Sequence, residues 1–119
     1  MIANSMRALV LLMGMLLCST AEGFDHAKML REHLSYLQQI PEVEWVEFER
    51  NMVFIGWKKL PPEFVAVNHE AALNGYKAIG FGVHVWSVMA EHKRWRPGEA
   101  PYLCETTARE GRISHSSCK

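Results

Sequence analysis

The histidines are the residues best equipped for chemistry, and one of them sits in a suggestive pair. His69-Glu70 falls within PPEFVAVNHEAALNGYKA, where a double proline followed by small and apolar residues reads as a helix over Glu63 to Ala78. An imidazole beside a carboxylate on a helix is how one class of zinc hydrolase starts its metal site. That site also needs a second histidine one turn further on, and position 73 is Leu. The zinc-protease reading therefore fails. A small hydrolase-type enzyme drawing on His69, Glu70 and His84 remains the alternative reading, but no serine or cysteine nucleophile has a partner that spacing identifies. His26 and His33 read as surface or boundary histidines. No catalytic residue, metal ligand or cofactor is assigned.

Lys93, Arg94 and Arg96 surround Trp95 in HKRWRPGEAP. Cations interleaved with an aromatic can stack on a base or hold an anion, so these four residues form a minor candidate for anion binding. The stretch is one short loop, and solvated loop charge is its plainer reading. Glu42, Glu44, Glu47 and Glu49 make the segment before residue 50 acidic. Paired carboxylates can do acid–base work, but strand alternation splits these between two faces. They read instead as a charged edge strand that resists aggregation. The GFG at 80–82 lacks the further glycine and lysine of a phosphate cradle. With thirteen basic and thirteen acidic residues, the chain carries no net charge to attract nucleic acid.

The elements that must position these groups follow from periodicity. Residues 1–21 read as a signal peptide: Arg7, then the apolar run Ala8 to Leu17, then small residues before a cut at Glu22. Cys18 directly after that run offers lipidation as a second route, and only that route would bring the chain to a membrane. Residues 22–119 then form a single small domain of an exported protein, periplasmic or secreted. Cys104 and Cys118 remain as an even pair, and in an oxidising compartment the simplest expectation is a disulfide.

Phe24 to Ile40 reads as a first helix, with Asp25 as its N-cap and Leu30, Leu34 and Leu37 on one face. Val43 to Trp57 reads as a hairpin turning at Arg50-Asn51, with the left-handed position given to Asn51. That register sets Phe48 opposite Val53 and Val46 opposite Ile55. Gly75 inside the second helix implies close packing against the sheet. VHVWSVMAE alternates with period two and reads as a long strand. Tyr102 to Cys118 reads as an edge hairpin about Gly111, which sets Cys104 opposite Cys118 and Thr106 opposite Ser116. The expected fold is α+β: two helices packed on a largely antiparallel sheet of about five strands, in the order α-β-β-α-β-β-β.

Strand parity then generates the functional expectation. If Val46, Phe48, Val53, Ile55, Val83 and Val85 face the helices, Trp45, Met52, Phe54, His84, Trp86 and Val88 face away. Such a patch is too apolar to stand in water. It is expected to be the binding surface of an interaction module, covered by a second copy or by another exported protein. The competing expectation is that the chain covers this face itself.

Overall fold

The computed structural model describes residues 25–99 and 101–119. The signal-peptide expectation over 1–21, with Cys18, lies outside the described residues. Helices α1 (His26–His33) and α2 (Phe64–Ile79) pack on a sheet formed by β1 (Val43–Glu49), β2 (Met52–Trp57), β3 (Val83–Met89), β4 (Cys104–Arg109) and β5 (Arg112–Ser116). The strands lie side by side in chain order. Three pairings are antiparallel, and β2–β3 is parallel. Parallel neighbours cannot be joined by a tight turn, and α2 supplies the crossover. The expected α+β class and element order are thus what the chain adopts.

Asp25 caps α1, its Oδ1 accepting from the Lys28 N–H at 3.1 Å. The first helix is shorter than expected. It ends at His33, and Ser35–Gln39 continues as a 3-10 turn. Leu34, Leu37 and Ile40 recur every three residues, a period that a 3-10 turn stacks along one edge. Leu34 and Leu37 are fully buried, and Ile40 packs against the same core.

The β1–β2 register is the expected one, with Phe48 opposite Val53 and Val46 opposite Ile55. Its turn differs from expectation, because the left-handed residue is Arg50 (φ 54°). Asn51 is engaged elsewhere: its Nδ2 donates to the Gly82 carbonyl at 2.8 Å and its carbonyl accepts from the His84 N–H. The hairpin is thereby fastened to the start of β3. At the other hairpin Glu110 and Gly111 both have positive φ, the signature of a tight two-residue turn. Gly75 sits where α2 meets both α1 and β3. A Cβ there would come within 3.1 Å of Leu30 Cδ2 and Val83 Cγ1, so the close approach expected at this glycine is present.

Both helices cover the same sheet face. Leu30, Leu34, Leu37, Ala71 and Ala72 meet Val46, Val53, Ile55, Val83 and Val85 in one core, with Phe48 partly buried at its margin. A polar chain runs through it. Trp57 Nε1 donates to Ser87 Oγ, Ser87 Oγ donates to Asn68 Oδ1, and Asn68 Nδ2 donates to Thr106 Oγ1 and the Val85 carbonyl. Ser116 continues it, bonded to Thr106 Oγ1 at 3.0 Å and to His69 Nε2 at 2.8 Å. Fully buried Asn68 would be costly unpaired, and this pairing removes the penalty.

Cys104 and Cys118 are joined by a disulfide, with Cα atoms 4.9 Å apart. The register shifts between Thr107 and Ala108, yet Thr106 still faces Ser116 as expected. Closing this loop, whose cysteines are 14 residues apart, stabilises the fold by about 3 kcal/mol in the chain-entropy model. Reduction should lower the denaturant midpoint by a corresponding amount. Leu34→Ala should cost about 2–5 kcal/mol, the range for emptying a buried leucine site, measured by chemical denaturation.

Candidate functional site

The face away from the helices is best described as rows that cross the sheet. In one row Glu49, Met52, His84, Thr107 and His115 are successive cross-strand neighbours from β1 to β5. In the next, Glu47, Phe54, Trp86 and Glu105 follow one another. Alternation along each strand puts all of these side chains on the outer face, as the parity argument required.

The chain covers half of this face itself. After a 3-10 turn at Ala90–His92, the following segment crosses β1 and β2 and inserts Trp95. Trp45, Phe54, Val88, Ala90 and Trp95 form a second core, with Met52 and Trp86 packed at its edge. Trp45 is 8% exposed, Phe54 and Val88 are 0%, and Trp95 is 2%. These numbers correct the expected binding patch: Trp45, Phe54 and Val88 are interior residues. A strap in the connection between β3 and β4 buries them. Only Met52, His84 and Trp86 keep some exposure.

The strap also disperses the expected anion site. Trp95 points inward, and Arg96 is tied down by Glu47 (3.2 Å) and Glu49 (3.0 Å) while its guanidinium lies 5.5 Å from the Phe54 ring centre. Lys93 and Arg94 alone stay exposed. Arg96 therefore neutralises the β1 ends of both rows. Trp45 Nε1 donates to the Ala90 carbonyl at 2.9 Å, which pins the start of the strap. The Trp45 ring lies directly on Gly56, where any Cβ would overlap it.

Beyond Trp86 the face is open. A groove of about 580 Å³ runs over the sheet, lined by His84 and Trp86 from β3, Glu105, Thr107 and Arg109 from β4 and Ser114 and His115 from β5. Trp86 stacks on Phe54 with ring centres 5.5 Å apart, and the His84 ring is 5.7 Å from it. The Thr107 hydroxyl donates to Glu105 Oε1, so its oxygen is left to accept from His84 Nδ1 at 2.9 Å. In the neutral ring this leaves the lone pair on His84 Nε2. His115 Nε2 lies 3.5 Å from Glu105 Oε2, so one carboxylate sits between two imidazoles. Among the described residues, no group of three His, Cys, Asp or Glu side chains is disposed to hold a metal ion.

Sequence reasoning missed Glu105, Thr107, Arg109 and His115. The signal for the first three was present in CETTAR, whose alternate positions put Glu105, Thr107 and Arg109 on one face. His69, Glu70 and His84 do not meet. His69 bonds Ser116 on the helix side, and His84 is on the outer face. The Glu70 charge acts on Tyr36, whose phenol is pushed above its ordinary value by burial, against the hydrogen bond from Asn74, with Glu70 adding to the rise.

A scan of protein-family models and searches of curated proteins and of solved structures each found no match. The groove must be read from its own chemistry.

Trp95→Ala should cost about 3–5 kcal/mol, because it empties the second core. Arg96→Ala should cost about 1 kcal/mol or less, since its ion pairs are partly solvated. Gly56→Ala should destabilise by about 1–3 kcal/mol by displacing the Trp45 ring. Denaturant titrations of the three variants check this order.

Proposed function

We propose that this chain is a small exported binding protein whose working surface is the open groove over β3, β4 and β5. The observation that carries the reading is where the strap stops. It covers the aromatic residues over β1 and β2 and leaves uncovered a place where an aromatic ring, two imidazoles, a carboxylate and a guanidinium converge. Convergent polar groups beside an aromatic wall are what a ligand site needs for orientation and contact area. The apolar patch that suggested a protein partner is occupied by the chain itself, so the reading moves from that patch to the groove. Export is supported by the Cys104–Cys118 bond together with the leader-like residues 1–21. Among the described residues, no helix is long and apolar enough to cross a membrane.

One observation favours a second reading, acid–base catalysis. His84 is held through Nδ1 by Thr107 and Glu105, the arrangement that fixes an imidazole as a base. The groove offers no evident nucleophile, because Ser114 Oγ donates to the Thr107 carbonyl.

A thermal-shift screen over sugars, organic acids and short peptides tests the binding reading. Ligands that raise the wild-type midpoint should fail to raise that of a Trp86→Ala/His115→Ala variant, and should still stabilise a Lys77→Glu control on α2. Equal stabilisation of both variants, or no stabilisation by any compound at millimolar concentration, would rule the groove out as the working surface. Turnover of an ester or glycoside that is lost in His84→Gln would favour the catalytic reading instead.

A further inference from the structure

Building on the groove reading above, we infer that the ligand is an acidic sugar chain, with a uronic acid carboxylate on Arg109 and a sugar ring on Trp86. Three observations support it. Among the described residues, no hydrogen bond or ion pair engages the Arg109 guanidinium, and its stem lies over Gly82, where a Cβ would come within 3.3 Å of Arg109 Cγ. The groove's own carboxylate is already engaged, since Glu105 is met by His84, His115 and Thr107. A guanidinium with no partner among the described residues, beside a carboxylate whose two oxygens are already hydrogen-bonded, can take an anion, and its planar fork matches a carboxylate with two parallel hydrogen bonds.

The floor decides what carries that carboxylate. Glu105, Thr107, Ser114 and both histidines line the groove with donors and acceptors. A purely aromatic acid would desolvate these groups without pairing them, which costs free energy for each. A sugar ring supplies hydroxyls along its edge for the same groups. Its C–H face offers the flat, weakly polar surface that an indole such as Trp86 accepts. The groove is also open and unroofed, which suits a chain passing through better than an enclosed small acid.

A second cleft extends the site. It has a volume of about 460 Å³ and shares His84 and Arg109 with the groove. Tyr76 and Phe81 line its far side, beside Asn51 and Glu110. Phe81 is 56% exposed, and its ring centre lies 5.3 Å from that of His26. Arg109 thus stands between two aromatic surfaces, one in each cleft. A chain of two or three sugars can place one ring on Trp86, the next on Phe81 and a carboxylate on the guanidinium between them. Glu110 borders the second cleft, so the carboxylate is held on the Arg109 side.

Calorimetric titration of the full domain tests this with galacturonic acid, its di- and trisaccharides, a neutral galactose trisaccharide and a peptide bearing three glutamates. The acidic trisaccharide should bind at least tenfold more tightly than the neutral one and more tightly than the monosaccharide. Arg109→Gln should weaken it at least tenfold. Phe81→Ala should weaken the trisaccharide and leave the monosaccharide unchanged, with circular dichroism confirming that both variants are folded. Equal binding of acidic and neutral trisaccharides would overturn the acidic class. If NMR shifts of His84 and Trp86 accompanied that result, the groove itself would survive as a binding surface. Tighter binding of the peptide than of any uronate would assign the groove to protein ligands and overturn the sugar. Absence of uronate binding, or binding indifferent to Arg109→Gln, would also overturn it.

Discussion

A twisted sheet has two faces, and among the described residues the helices cover only one of them. That mismatch is the constraint on which the rest of the structure depends. Alternating strands that are apolar on both sides need cover on both sides. Leaving Trp45, Phe54 and Val88 in water would forfeit on the order of 1.5–3 kcal/mol for each large apolar side chain. The chain meets the constraint with the strap that inserts Trp95. The strap packs over β1 and β2, and the sheet beyond Trp86 is polar. Glu105, Thr107 and His115 are the residues that allow that half to face solvent. Covered and open halves are two consequences of one shortage of helix.

The helix side has its own specification. Asn68 joins α2 to β3 and β4 through Ser87, Val85 and Thr106, and Trp57 joins β2 to the same group. Hydrophobic packing alone tolerates sliding of a helix along a sheet. Partners fixed at 2.7–3.1 Å do not, because a shift would leave a fully buried amide unpaired. The disulfide closes the hairpin next to this network, with Asn68 Nδ2 3.3 Å from Cys118 Sγ.

Most of the fold was legible in the sequence because it rested on local rules. Asp25 as a cap, the Val46–Ile55 register, Gly75 as a close approach and the Cys104–Cys118 pair each follow from short spacings. The parity of β3 correctly divided Val83 and Val85 from His84 and Trp86. What escaped was non-local. Nothing in HKRWRPGEAP shows that Trp95 travels back to cover β2, because its burial depends on Trp45 and Phe54, some forty to fifty residues earlier in the chain. The candidate groove escaped for the same reason: His84, Glu105 and His115 come from three strands, and their meeting is a property of the sheet order.

The four tryptophans are divided unequally between the two sides of the sheet, and this gives the molecule a built-in optical label. Trp57 lies in the core beneath the helices, while Trp45, Trp86 and Trp95 belong to the strap side. Three of the four indoles therefore report on one layer. Detachment of the strap would redshift most of the fluorescence while the far-ultraviolet signal of α1 and α2 stayed intact. Non-coincident fluorescence and dichroism transitions would reveal partial opening of this fold, and coincident ones would show that the two layers melt as a unit.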